Sequence, residues 1–131
     1  MVALWLLLGL VGAAAYIAAG ERVGGLAWWA VGLVVAALAY VAFAAARGAP
    51  PGEIAVEAVG AALYGGAVWV GWRRRSPRLL ALAWALHPVW DVGVHAVGGL
   101  SAPAWYVWAC LSFDLAVGAW LWRTPAAART V

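Results

Sequence analysis

Leu79-Leu80-Ala81-Leu82-Ala83-Trp84-Ala85-Leu86-His87-Pro88-Val89-Trp90-Asp91-Val92-Gly93-Val94-His95-Ala96-Val97 reads as a membrane-crossing helix into which chemistry has been placed. At about 1.5 Å per residue the stretch is long enough to span a bilayer. Within it His87, Asp91 and His95 stand at i, i+4 and i+8. Residues four apart on a helix lie one turn above another with a drift of about 40°, so the three share a face. An ionisable side chain at the centre of a spanning helix costs roughly 2.5–3.5 kcal/mol unless partnered, which makes each of them a functional candidate by default.

The remainder of the chain has the same character. Its 131 residues are 68% hydrophobic and 10% charged, with no lysine, a composition that excludes an ordinary soluble domain. The net charge of +3 is not a nucleic-acid signal, because the arginines gather at the ends of apolar segments. The single cysteine, Cys110, excludes an internal disulfide and a four-cysteine zinc site. No phosphate-binding glycine loop is present.

Five apolar segments are predicted to be helices, at about 2–19, 26–46, 53–72, 79–97 and 104–122. The breaks GERVGG (20–25), RGAPPG (47–52), RRRSPR (73–78) and GGLSAP (98–103) carry the glycine, proline and charge that end helices. Such short breaks predict an all-α bundle of antiparallel neighbours forming one transmembrane domain over 1–131. Gly9, Gly12, Gly20, Gly24, Ala62 and Gly66 read as close-packing positions. Arg22, Arg73, Arg74, Arg75, Arg78, Arg123 and Arg129 fall on one side of this bundle and Arg47 on the other. The positive-inside rule then predicts a multi-pass protein of the cytoplasmic membrane with its N-terminus outside and its C-terminus cytoplasmic.

Polar side chains on different helices can cooperate only at similar depths. Counted from the outer side, Glu57 lies roughly 6 Å inside Glu53, and His95, Asp91 and His87 lie roughly 3, 9 and 15 Å below the end of the fourth helix. On the fifth helix Cys110 and Asp114 are roughly 7–8 and 13–14 Å down. The ranges overlap, and no arginine lies within a span to compensate the acids. One internal site is therefore expected in the outer half, with His87, Asp91, His95, Asp114 and Glu57 as candidate metal ligands. Glu53, Tyr64, Cys110 and Trp90 are candidates for a proton relay or for a shell around those ligands.

Each residue also has a plainer role open to it. His87 can bond the Trp84 carbonyl that Pro88 leaves without a donor. Asp91 and Asp114 can fasten two helices through hydrogen bonds, Glu53 can pair with Arg47, and Cys110 can be a small buried hydrophobe. Three chemistries fit the whole cluster. Imidazole with carboxylate suits Zn²⁺ or Fe²⁺, and a metal-activated water in this place would meet a lipidic substrate. A ladder of histidines and acids also suits a proton- or ion-coupled carrier, which at this size would work as a homo-oligomer. The third is a structural subunit whose polar face another membrane protein closes. Because the ladder drifts across about 80° and about 12 Å, at most two of its three residues are expected to ligate one ion, leaving the third as proton carrier or gate.

The stretch AWALHPVWDVGVHAVGG followed by PAWYVWACLSFDLAVGAWL resembles small bacterial multi-pass membrane proteins of uncharacterised activity. These carry H-P-x-W-D-x-x-x-H and then P-x-W and C-x-x-x-D on the next helix. The resemblance covers the last two helices and implies roles for His87, Asp91, His95, Cys110 and Asp114. Where such proteins often have a second histidine directly before the last, this chain has Val94, which removes one ligand from the set.

Overall fold

A computed structural model describes residues 1–97 and 102–124, so the break at 98–101 and the tail carrying Arg129 lie outside the described residues. Among these residues five helices run α1 (Val2–Val23), α2 (Leu26–Ala46), α3 (Pro51–Arg73), α4 (Pro77–Trp90) and α5 (Ala104–Arg123). Between α4 and α5 the chain continues out of α4 as a π-helical segment, Asp91–Val97. Helices α1, α2, α3 and α5 are each long and apolar enough to cross a membrane.

The helix ends follow local chemistry. α4 begins at Pro77, two residues before the expected 79, because the Ser76 hydroxyl accepts from the Leu79 N–H at 3.3 Å and proline fits the first helical position. α1 runs on through Glu21 and Arg22 to Val23, beyond the expected 19, and stops where Gly24 takes a positive φ of 72°. α2 closes with Gly48 at φ 69° while the Ala49 N–H returns to the Ala44 carbonyl at 3.0 Å. Arg75 performs the same left-handed turn after α3, with the Ser76 N–H donating to Gly71 O at 2.9 Å.

Neighbours in space are α2–α3, α3–α4, α4–α5 and α5–α1, with α4 also touching α2. Helix α1 rests along α5 and meets α2 near their junction, where the Tyr16 ring stacks on Trp28 with centroids 5.0 Å apart. Gly9 admits the α5 backbone at Ala109, and the Ser112 hydroxyl crosses to donate to the Leu6 carbonyl at 2.7 Å. Gly20 likewise faces the rings of Trp28 and Trp29. Ala62 and Gly66 do not pack as expected: Ala62 is exposed, and a side chain at Gly66 would meet open space.

The interior divides along the bundle axis. Toward the Ser76 end, Leu33, Leu80, Trp84, Val117 and Leu121 form an apolar core, tied by the Trp84 indole donating to the Trp29 carbonyl at 3.1 Å. Arg73 and Arg78 at that end lie over the rings of Trp69 and Trp122, at 5.3 and 5.9 Å. Toward the Pro103 end polar side chains, Tyr40, Glu57, His87, Asp91, His95 and Asp114, are buried among Ala37, Ala44, Val107 and Cys110.

The join between α4 and α5 depends on Gly118, whose missing side chain would stand 3.0 Å from Ala81 O and 3.1 Å from Ala85 N. Backbone atoms cannot move aside cheaply, so G118L is expected to lower stability by about 1–3 kcal/mol through overpacking. Thermal unfolding in detergent checks this, with G66A as the control in open space expected to stay near the wild-type midpoint.

Candidate functional site

Pro88 sets up the geometry by removing one N–H from the middle of α4. The helix survives the proline, and at its end the Asp91 N–H is shared between His87 O and Pro88 O before the π-helical segment begins. In an α-helix the drift from His87 to Asp91 would repeat from Asp91 to His95 and carry His95 sideways. A π-helix bonds i to i+5 and needs more residues per revolution. Four residues then fall short of a full turn instead of overshooting it, and His95 returns to the interior, where it is 8% exposed.

Asp114 projects from α5 one turn from Gly118, where the α4 backbone lies close against α5. His87 Nδ1 lies 2.8 Å from Asp114 Oδ2 and 3.4 Å from Asp91 Oδ2. Both carboxylates are 0% exposed and His87 is 1% exposed. The three residues each offer a ligand atom, all within 4.8 Å of one another. Asp91 Oδ1 and Oδ2 and Asp114 Oδ1 make no hydrogen bond. The plainer expectation that His87 turns to the carbonyl freed by Pro88 is replaced by this contact with Asp114 across the helix interface.

The other two candidate ligands form a separate pair. His95 Nε2 stands 3.4 Å from Glu57 Oε1, both buried, and neither joins the group of three. Tyr40 of α2 lies between the two sets. Its ring stacks on His95 with centroids 4.4 Å apart and is 6.0 Å from His87, and its buried hydroxyl lies against Asp91 without a well-aligned hydrogen bond. Tyr64 braces the triad from α3, donating to the Leu86 carbonyl at 2.9 Å while its ring edge meets His87 at 4.8 Å. Trp90 covers Gly60 of α3, and Cys110 is a buried free thiol one turn from Asp114. Glu53 is not at the site; it pairs with Arg47 at the partly exposed end of α3.

Sequence reasoning missed Tyr40. The signal was available, because Tyr40 carries the single hydroxyl in α2 and stands six residues from that helix's end, at the depth of the other polar groups. Tyr106, also missed, packs edge-on against Tyr40 with centroids 5.2 Å apart.

Among the described residues His87 is the one cationic partner of Asp91 and Asp114. Removing one partner of a buried ion pair typically costs about 3–5 kcal/mol, so H87A should show a large drop in thermal midpoint. E53Q breaks only the partly exposed pair with Arg47 and should cost about 0–1 kcal/mol in the same assay.

No protein-family model matches this chain, and comparison with the curated proteins and with the solved structures also yields no match.

Proposed function

We propose that the chain is a multi-pass protein of the bacterial inner membrane that binds one divalent metal ion between α4 and α5 through His87, Asp91 and Asp114. The observation that carries this reading is the set of three buried carboxylate oxygens with no hydrogen-bond partner, gathered beside an imidazole nitrogen. Buried polar atoms are normally satisfied, and an ion is one of the standard reasons for an exception. Charge balance favours the same answer. Two carboxylates with a neutral imidazole carry two negative charges, which a divalent cation cancels. Binding would displace the proton that His87 otherwise holds toward Asp114.

Imidazole with two carboxylates matches the ligand preferences of Zn²⁺ and Fe²⁺. Three protein ligands leave a coordination position free, and an ion held so supplies Lewis acidity or an activated water. A lipidic molecule is the substrate suited to such a site. The arginine-rich loop at 73–78 supports a cytoplasmic placement for that end, which puts the site in the outer half of the membrane.

Metal analysis of the detergent-purified protein tests the assignment. Wild type should retain a stoichiometric amount of zinc or iron, D91N and D114N should lose it, and E57Q should keep it. Equal metal content in wild type and D91N would remove this reading.

Tyr40, set against both imidazoles, favours a second reading in which Glu57, His95, Tyr40 and the triad pass protons. On that reading vesicles containing the protein, in homo-oligomeric form, should dissipate an imposed pH gradient and Y40F should slow the loss. The metal reading expects no such flux.

A further inference from the structure

Toward the Ser76 end, α2 and α3 leave between them a groove of about 320 Å³. It extends from Ala27 to Val34 on α2 and from Trp72 back to Gly65 on α3, two turns of each helix and so about 10 Å along the axis. Alanine, valine, glycine and tryptophan line it throughout. Ala30 and Val68, both buried, form its floor, and Val31 and Trp69, 60% and 55% exposed, rise at its sides. Gly65 keeps the deep end open, since an added Cβ there would meet nothing within 4 Å. A shallow apolar channel of this width and length suits part of one acyl chain.

The mouth of the groove is cationic. Arg73 follows Trp69 by four residues and so shares its face of α3, and its guanidinium stands over the Trp69 ring, 5.3 Å from the centroid. Because Trp69 is a wall of the groove, this contact holds the cation where the groove opens. Arg73 is exposed, and among the described residues no carboxylate pairs with it or with Arg74, Arg75 or Arg78. The helix ends on this side carry Arg22, Arg73, Arg74, Arg75, Arg78 and Arg123 against the single acid Glu21. Topology calls for arginines at one end of the bundle, but it does not call for one fixed at the mouth of a chain-sized groove.

We propose that the groove between α2 and α3 binds one anionic phospholipid, with an acyl chain along Val31, Val68 and Trp69 and the phosphate at the Arg73 guanidinium. A guanidinium meets phosphate oxygens with paired N–H donors in a planar fork, and the indoles of Trp69 and Trp72 belong at the depth where headgroup gives way to chain. An anionic head is selected over a zwitterionic one because the surplus of arginines at this end attracts net negative charge and repels a head's own ammonium. The site shares no residue with His87, Asp91 and Asp114. It rests on the membrane placement in the proposed function and not on the metal.

The test places the whole protein in phosphatidylcholine nanodiscs doped with phosphatidylglycerol that carries a photoactivatable acyl chain, and maps the labelled peptides by mass spectrometry. Label should fall on residues 27–34 and 65–72. Unlabelled phosphatidylglycerol should displace it and inorganic phosphate should not. Phosphatidylcholine with the same photoactivatable chain should label about fivefold less, and R73Q should weaken labelling by phosphatidylglycerol by about the same factor, the size of one arginine's attraction for an anionic lipid. R74Q and R123Q, which remove the same charge from the same end, should retain most of the labelling. G65L fills the groove from a position with room for a side chain and should abolish labelling, whereas G66L, next to it but outside the groove, should leave it intact. Equal losses in R73Q, R74Q and R123Q would reduce the effect to net charge, and labelling that persists in G65L would place the lipid elsewhere; either result overturns the proposal. Failure of the chain to enter nanodiscs would overturn the membrane placement and this site with it, whereas a reconstituted protein that labels equally with both lipids overturns the site alone.

Discussion

Two carboxylates and one imidazole buried without an arginine are the constraint around which this bundle is built. A buried ion is tolerated only when its partners are held at hydrogen-bonding distance, because desolvation in a low-dielectric interior costs several kcal/mol per ion. The 2.8 Å contact between His87 and Asp114 therefore fixes how α4 and α5 lie against each other. The close approach at Gly118, one turn away, permits that contact. The Tyr64 hydroxyl at the Leu86 carbonyl sets α3 against the same turn of α4. The apolar core toward the Ser76 end supplies packing that the polar half cannot, and the two halves divide the labour of holding and of holding something.

The π-helical segment is the device that lets one helix serve two polar sets. Pro88 weakens the hydrogen-bond ladder just before Asp91, and the wider turn that follows directs His95 to Glu57 and Tyr40 instead of onto the outer surface of the bundle. Single turns of this kind occur often at functional sites, where local strain is exchanged for the aim of a side chain. In this chain the aim is shared: His87 and Asp91 look toward α5, and His95 looks toward α2 and α3.

The fold was legible in the sequence because hydropathy and the breaks between apolar runs are strong, local signals. The α2 boundaries agree with expectation, and the differences at α1 and α4 come from end chemistry, a glycine stop and a serine–proline start. Depth matching brought His87 and Asp114 together from helix lengths alone, since rise per residue is nearly invariant. What depth could not supply was rotation about each helix axis. That is why five candidate ligands were expected to converge whereas the structure separates His95 and Glu57 from the other three. The π turn depends on how Pro88 is accommodated by its neighbours, and the role of Tyr40 depends on which face of α2 turns inward. Neither is written in a local pattern. Glu53, by contrast, was assigned to two roles, and the nearby Arg47 decided between them.

The pairing of α1 with α5 has a consequence for biogenesis. The hydrogen bond from Ser112 to Leu6 joins residues 106 positions apart, and Gly9 is shaped to receive Ala109. During synthesis α1 can meet α2 early, through Tyr16 and Gly20 against Trp28 and Trp29, but its longer seat on α5 exists only once four further helices have been made. Contacts of such long sequence separation form last and leave apolar surface exposed until they do. The seat of the opening helix on the closing one is thus the last contact to form, and completion of the bundle is reported by the docking of its first segment onto its last.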